Sequence, residues 1–261
     1  MKVLAVDTAT AWQSVAILDG DHVLGRHDQQ AAGAHVKLLL PTIDKLLAVT
    51  GLSLERLDGL VASIGPGSFT GLRVGLATIL GFRSVTQTPF AVVPTLEAMA
   101  WNLRGSTRLL CPVLNSRRGE LYWAVFQWTK DGLRHVVAEQ VGSPEMLGRA
   151  LSMDSVVLYG EGWSTEAKAI RSAAPKMLHI EEAADEVQRP SAVSVALAGM
   201  ARLAANDTAG IGVSPFYVQR PEAEIRFEQS GGASPVARRR EKISRKLEAR
   251  SAARSKRKLH K

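Results

Sequence analysis

The most specific chemical signal in the chain is a glycine-rich segment at Gly65–Gly75, which reads Gly-Pro-Gly-Ser-Phe-Thr-Gly-Leu-Arg-Val-Gly. It joins a predicted strand to a predicted helix, where Ser68 is placed to cap the helix and the free N–H groups of the first turn could hold an anion. The spacing fits neither a Walker A loop nor a dinucleotide-binding fingerprint. Gly71 and Gly75 also share one helical face, which favours a second interpretation, a close packing contact. We predict anion contacts at Gly67 and Ser68 as the alternative to packing.

A second polar segment, Asp7-Thr8-Ala9-Thr10, lies between the first two predicted strands. A carboxylate and hydroxyl groups at such a turn could face a nucleotide phosphate through Mg²⁺. The simpler interpretation is a polar hairpin turn in which Asp7 and Thr8 satisfy backbone groups, and the residues alone favour it. Both interpretations stay open, with Asp7 and Thr8 as candidate nucleotide contacts.

No metal centre or nucleophilic set is recognisable in the sequence. His35 lies near the start of a predicted helix, but a helical metal pair would need a second ligand four residues later, where Leu39 stands. The one cysteine, Cys111, excludes an internal disulfide framework and a cysteine zinc site, and it fits a reducing cytosol. We therefore expect no metal in this chain and no catalytic residue.

Hydrophobic patterning predicts alternating strands and helices in two groups. The predicted elements of the first half are strands at Lys2–Thr8, Trp12–Asp19, His22–Gln29, Gly59–Ile64 and Phe90–Val93, with helices at Ala34–Val49, Phe69–Val85 and Pro94–Leu103. Those of the second half are strands at Leu109–Leu114, Glu120–Trp128, Leu133–Glu139 and Ser155–Tyr159, with helices from Ser143 and at Ser191–Asn206. The repeated order of three strands, a helix and a further strand predicts an α/β protein of two lobes.

The net charge of +8 comes from the C-terminal end of the chain. Residues 231–261 hold 12 Lys and Arg against 2 Asp and Glu, whereas residues 1–230 hold 21 against 23. This segment begins with a Gly-Gly-Ala-Ser-Pro linker. We expect a flexible or weakly helical extension at residues 230–261. Its candidate contacts with a polyanion such as tRNA are Arg238, Arg239, Arg240, Lys242, Arg245 and Lys246.

Several motifs in a fixed order resemble the bacterial TsaB (YeaZ) family over about residues 1–225. They are VLAVDTAT near the start, AHVKLLLPTIDKLL, GPGSFTGLRVG, NSRRGELYWAVF and SPFYVQRPEAE. The resemblance implies the actin/Hsp70/sugar-kinase (ASKHA) fold of two α/β lobes, expected here at residues 1–103 and 104–229. It also implies that the chain works with TsaD and the ATPase TsaE, which place a threonylcarbamoyl group on the adenosine beside the anticodon of ANN-decoding tRNAs.

The resemblance further implies a non-catalytic assembly subunit. In the related TsaD proteins two histidines on the corresponding helix hold a metal, whereas this chain keeps His35 and has Leu39 at the second position. ATP and a metal are implied for TsaD and TsaE, and no cofactor for this chain. We expect a cytoplasmic protein without a membrane segment that forms a homodimer when alone and a heterodimer with TsaD. The alternative is an ATP-binding enzyme of the same fold with its own transferase or peptidase activity.

The family also implies that the first two helices form the interface with the second copy and with TsaD. The expected interface residues are His35, Leu38, Leu39, Thr42, Phe69, Thr70, Gly71, Arg73, Val74, Gly75 and Leu76. On this basis a bulky residue at Gly75 is expected to weaken TsaD binding while the chain stays folded. Two features depart from the family: Asn115 stands where its members commonly have Asp, and the basic extension lies beyond their usual end.

Overall fold

Two five-stranded sheets form the frame of the protein in a computed structural model that describes residues 1–210 and 212–218. The strands of the first sheet are β1 (Lys2–Asp7), β2 (Trp12–Asp19), β3 (His22–Gln30), β4 (Gly59–Ser63) and β5 (Phe90–Val93). They lie in the order β3-β2-β1-β4-β5, with β2 antiparallel to both β1 and β3 and with β1, β4 and β5 parallel. This arrangement brings the β1–β2 turn and the loop after β4 to the same end of the sheet.

The second sheet repeats this topology. Its strands are β6 (Leu109–Asn115), β7 (Leu121–Thr129), β8 (Gly132–Gly142), β9 (Ser155–Tyr159) and β10 (His179–Glu182). They lie in the order β10-β9-β6-β7-β8, antiparallel from β6 to β8 and parallel from β6 to β10. The predicted two-lobe α/β architecture is confirmed.

Six α-helices of the described residues cover the faces of the two sheets. They are α1 (His35–Thr50), α2 (Phe69–Thr86), α3 (Thr95–Trp101), α4 (Pro144–Ala150), α5 (Glu161–Ala173) and α6 (Ala192–Ala204). Helices α1 and α2 pack on one face of the first sheet, and α6 packs on its other face. Helices α4 and α5 cover one face of the second sheet, and α3 covers the other.

Helices α3 and α6 pack across the predicted lobe boundary between residues 103 and 104. Leu96, Met99 and Ala100 of α3 are buried against the second sheet, although α3 precedes the boundary. In α6, which follows it, Val195 and Ala196 are buried against the first sheet. Residues Met1–Val218 consequently form one compact unit. The second predicted boundary, at residue 230, lies outside the described residues.

Two elements, α5 and β10, are absent from the sequence predictions for a physical reason. Helix α5 buries only Gly162, Trp163 and Ile170, so its apolar periodicity is too sparse to stand out. Strand β10 has four residues, and none of its side chains is fully buried. Among the helices of the described residues, none has the combination of length and hydropathy that a membrane span requires.

Candidate functional site

A cleft of about 530 Å³ lies where the two lobes face each other. The first lobe contributes the β1–β2 turn, the start of α1 and the start of α2, and the second lobe contributes the β6–β7 turn and the start of α5. Its polar lining includes Thr10, His35, Ser68, Thr70, Asn115 and Glu161. The repeated sheet topology places a strand–turn–strand unit from each lobe at this cleft.

The start of α2 packs directly on the β1–β2 turn. The Ser68 N–H donates a hydrogen bond to the Ala9 carbonyl (2.6 Å), and the Ser68 hydroxyl caps the helix by accepting from the Gly71 N–H (3.2 Å). A Cβ atom at Gly67 would clash with the Ala9 carbonyl oxygen, and one at Gly71 with the Thr8 carbonyl oxygen. These glycines therefore permit a close approach between the helix and the turn.

The face formed by Gly71 and Gly75 is also a contact inside the first lobe. A Cβ atom at Gly75 would clash with the Thr8 hydroxyl, and that hydroxyl donates to the Gly71 carbonyl over 2.8 Å. The packing interpretation is thus correct for this face, but its neighbour is the β1–β2 turn and not a second helix. A bulky residue at Gly75 would have to displace Thr8, so we expect such a substitution to destabilise the first lobe.

Asp7 and Thr8 are buried, and neither lines the cleft. Asp7 Oδ1 accepts from the Ala9 N–H (3.1 Å), whereas Oδ2 has no hydrogen-bond partner among the described residues. Burial raises the pKa of Asp7 to about 6, against the lowering effects of the nearby Ser63 hydroxyl and of the Ala9 N–H. The structure therefore supports the polar-turn interpretation, and the predicted nucleotide contacts at Asp7 and Thr8 are corrected. Gly67 and Ser68, by contrast, do line the cleft.

His35 is 6% exposed and lies at the edge of the cleft. Its Nε2 lies 3.0 Å from the Thr10 carbonyl oxygen, which assigns the proton to Nε2 because a carbonyl only accepts. Burial lowers the pKa of His35, and the bond to Thr10 opposes that shift. Leu39, one turn later, is buried in the core beneath α1. Within residues 1–210 and 212–218, no group of three or more His, Cys, Asp or Glu side chains is placed to hold a metal.

Six of the expected interface residues are buried: His35, Leu39, Thr42, Gly71, Gly75 and Leu76. Leu39 and Leu76 belong to the core cluster between the first sheet and its two covering helices. The Thr42 hydroxyl donates to the Leu38 carbonyl and accepts from the side-chain amides of Gln13 and Gln29. The prediction is corrected at these six positions, because buried side chains cannot form part of a surface.

The outer face of α1 carries two exposed apolar side chains. Val36 is 67% exposed and Leu40, one turn later, is 52% exposed. Leu38, Phe69 and Val74 are half-buried, while Thr70 and Arg73 are exposed, and these five positions remain predicted interface residues. The signal for Val36 and Leu40 was present as apolar periodicity. A helix that is apolar over most of its circumference does not reveal which stripe faces the sheet.

On the second lobe, Asn115 and Glu161 connect the β6–β7 turn with α5. The Asn115 Oδ1 accepts a hydrogen bond from the Thr165 hydroxyl (3.0 Å), so the amide that replaces the expected acid has a structural contact. Burial raises the pKa of Glu161, while the Asn115 backbone N–H opposes the shift. Cys111 is buried in β6 and burial raises the pKa of its thiol, which makes it a poor nucleophile.

The tRNA contacts predicted at Arg238, Arg239, Arg240, Lys242, Arg245 and Lys246 lie outside the described residues.

Comparisons with known proteins find proteins of tRNA threonylcarbamoyladenosine biosynthesis. The family model for "TsaD: tRNA N6-adenosine threonylcarbamoyltransferase" matches residues 25–227. The "tRNA threonylcarbamoyladenosine biosynthesis protein TsaB" of Escherichia coli K12 is 35% identical over 169 residues, which span 62% of this chain and 72% of the relative. The protein of the same name from Bacillus subtilis is 28% identical over 232 residues, 88% of this chain and 99% of the relative.

Solved structures show the same fold. A Pseudomonas aeruginosa protein described as having similarity to peptidase YeaZ has 25% identity and a TM-score of 0.70, over 84% of this chain and 99% of that one. A second P. aeruginosa structure, described as YeaZ, has 24% identity and a TM-score of 0.69, over 83% of this chain and 99% of that one.

Proposed function

Since the chain belongs to the TsaB (YeaZ) family, we propose that it acts in tRNA threonylcarbamoyladenosine biosynthesis as a non-catalytic subunit that supports TsaD. TsaD, with TsaE, would carry out the transfer to the adenosine beside the anticodon of ANN-decoding tRNAs. ATP and a metal belong to those partners in this proposal, and this chain requires neither.

The polar groups near the cleft are already hydrogen-bonded within the first lobe, which supports the proposal that the chain is non-catalytic. The His35 Nε2–H is bonded to the Thr10 carbonyl, and the Thr8 hydroxyl is bonded to the Gly71 carbonyl. Leu39 fills core volume at the position where the related TsaD proteins are expected to have a second metal-binding histidine. The groups that most resemble catalytic residues are therefore engaged in holding the first lobe together.

The observation that carries the proposal is the exposed apolar stripe of Val36 and Leu40 on α1. Burying these two side chains in a complex would remove them from water. Each fully buried side chain of this kind stabilises the complex by about 1.5–3 kcal/mol. The predicted interface residues on α2 that remain accessible, Thr70 and Arg73, lie on the helix that packs beside α1. We propose that this surface binds TsaD in the complex and a second copy of the chain when TsaD is absent.

The remaining parts of the proposal concern location and tRNA. We propose that the chain works in the cytoplasm, where it acts on tRNA together with TsaD and TsaE. The excess of Lys and Arg over residues 231–261 supports contact with tRNA phosphates by the basic extension.

Co-purification with the cognate TsaD, followed by mass measurement of the intact complex, tests the proposal. We expect a heterodimer with the wild-type chain and free subunits with Val36→Glu, because the substitution buries a charge in the interface. Val49→Glu is the matched control. Val49 is 73% exposed on the same helix and about 220° around the axis from Val36 at 100° per residue. Loss of the complex with both variants, or with neither, would contradict the assignment of the surface.

A further inference from the structure

The segment Val213–Val218, here called the strap, connects the two lobes after α6. Val213 packs against the core cluster beneath α1 and α2, and Val218 packs against the cluster beneath α3 on the second sheet. The strap thus crosses from one lobe to the other within six residues. Neither the cleft nor the α1 stripe accounts for this segment.

The strap is fixed beside the start of α2 by backbone contacts. The Phe216 N–H donates a 2.7 Å hydrogen bond to the Ile64 carbonyl, just beyond the end of β4. The Phe216 carbonyl oxygen lies 2.6 Å from the position of a Cβ atom at Gly65, whose φ is +114°. Gly65 therefore allows both the backbone turn and the close passage of the strap.

Tyr217 contacts two side chains in the first two turns of α2. Its ring stacks on Phe69, with centroids 5.4 Å apart and planes at 28°. Its hydroxyl accepts a 3.1 Å hydrogen bond from Nε of Arg73. The Arg73 guanidinium lies 3.8 Å from the centroid of the Phe69 ring. The three side chains form a closed cluster in which each contacts the other two.

This cluster orients Arg73 without using all of its donors. Arg73 is exposed, and among the described residues it forms no ion pair, while its two Nη groups have no hydrogen-bond partner there. An exposed arginine normally samples many rotamers and loses that freedom when it binds. Here the stack and the Nε bond hold the side chain in one orientation before any partner arrives, and such preorganisation strengthens binding.

We propose that Tyr217 is a positioning residue that presents Arg73 to a carboxylate on TsaD, so that the strap forms part of the partner-binding surface. This inference rests on the proposed function. A guanidinium held by Nε keeps its Nη pair facing outward, and paired donors of this kind match a carboxylate in geometry and charge. The strap thereby links the α2 side of the interface to the core of the second lobe.

A double-mutant cycle on TsaD affinity tests the proposal, with the full chain and calorimetric titration. Tyr217→Phe keeps the ring and removes only the acceptor for Arg73. We expect it to weaken TsaD binding about 3- to 10-fold, the effect of losing one hydrogen bond of ordinary strength. In a chain that already carries Arg73→Ala, Tyr217→Phe should change the affinity less than twofold. A residue with only a structural role would show the same loss in both backgrounds.

Two further measurements make the result decisive. The midpoint of thermal unfolding of Tyr217→Phe should stay close to that of the wild type. Arg149→Ala, which removes an exposed arginine on α4 of the second lobe, should leave TsaD affinity unchanged. Wild-type affinity for Tyr217→Phe, or an equal loss in both backgrounds, would overturn the strap inference. If Val36→Glu still abolished the complex in that case, the proposed function would stand, whereas a wild-type chain that fails to bind TsaD would refute both.

Discussion

The contact between Gly75 and Thr8 predicts that Gly75→Ala destabilises the wild-type chain but stabilises a chain that lacks the Thr8 hydroxyl. A methyl group at Gly75 would lie on the Thr8 hydroxyl, while the Thr8 Cβ and Cγ2 atoms are each 3.6 Å from the same point, an ordinary contact. Thr8 is buried, and its hydroxyl cannot turn away without losing the bond to the Gly71 carbonyl. The clash therefore involves a single oxygen atom.

The magnitudes follow from this geometry. Replacing Gly by Ala in a helix interior stabilises the fold by about 1 kcal/mol when space is available. Overpacking at a tight site costs about 1–3 kcal/mol, and disruption of a buried hydrogen bond adds about 1–3 kcal/mol. We expect Gly75→Ala to lower the free energy of unfolding by about 2 kcal/mol. In a chain carrying Thr8→Ala the oxygen is absent, and the same substitution should raise that free energy by up to about 1 kcal/mol.

Urea denaturation followed by circular dichroism measures all four chains of this cycle. Gly81→Ala is the control, because Gly81 lies on the same helix with nothing within 4 Å of its Cβ position. That substitution should be neutral or stabilising, and equally so in both backgrounds. An equal effect of Gly75→Ala with and without the Thr8 hydroxyl would refute the reasoning and return Gly75 to the outer face of α2.

Three other outcomes are expected. Burial raises the pKa of Asp7 from 3.8 to about 6, so the folded chain holds an extra proton between those values and stability falls as the pH rises from about 4 to about 6. Asp7→Asn should remove this pH dependence in urea titrations. It should also raise the free energy of unfolding at pH 7.5 by up to about 3 kcal/mol, the equivalent of about two pKa units. An unchanged pH profile would contradict the burial of a titrating carboxyl. His35→Ala should leave threonylcarbamoyl transfer by the reconstituted complex within a few-fold of wild type, since His35 bonds only to Thr10 among the described residues, and a loss as large as omission of the chain would show a direct role. Deletion of residues 231–261 should preserve TsaD binding but weaken tRNA binding at low salt. The slope of log affinity against log salt concentration should become shallower by about 0.7–0.9 for each phosphate that the extension neutralises. Equal slopes in a salt titration would leave the extension without a role in tRNA binding.

The sequence predicted the fold better than it predicted the surfaces. The strands at Trp12–Asp19, Phe90–Val93 and Ser155–Tyr159 match the structure residue for residue, because each is a short apolar run bounded by turn residues. Helix α1 was placed within one residue at each end. Its orientation was not predictable, since Val36 and Leu40 differ from the buried Leu39 and Ile43 only through what lies beneath them.

The glycine segment illustrates the same limit at the candidate site. Its pattern favoured packing over anion binding, which is correct for Gly71 and Gly75, yet the partner in that contact is Thr8, more than sixty residues away in sequence. The cluster of Phe69, Arg73 and Tyr217 joins α2 to a segment far along the chain. Neither contact leaves a local periodicity, so only the folded chain reveals them.

A titration of transfer activity measures whether the chain supports TsaD without taking part in the chemistry. Formation of threonylcarbamoyladenosine on an ANN-decoding tRNA is measured with fixed cognate TsaD and TsaE and increasing amounts of this chain. For Val36→Glu we predict a half-maximal concentration at least about 10-fold higher than for wild type, the equivalent of about 1.4 kcal/mol, with the same plateau. A lower plateau at saturating binding, or transfer by the chain without TsaD, would show that the chain takes part in the chemistry.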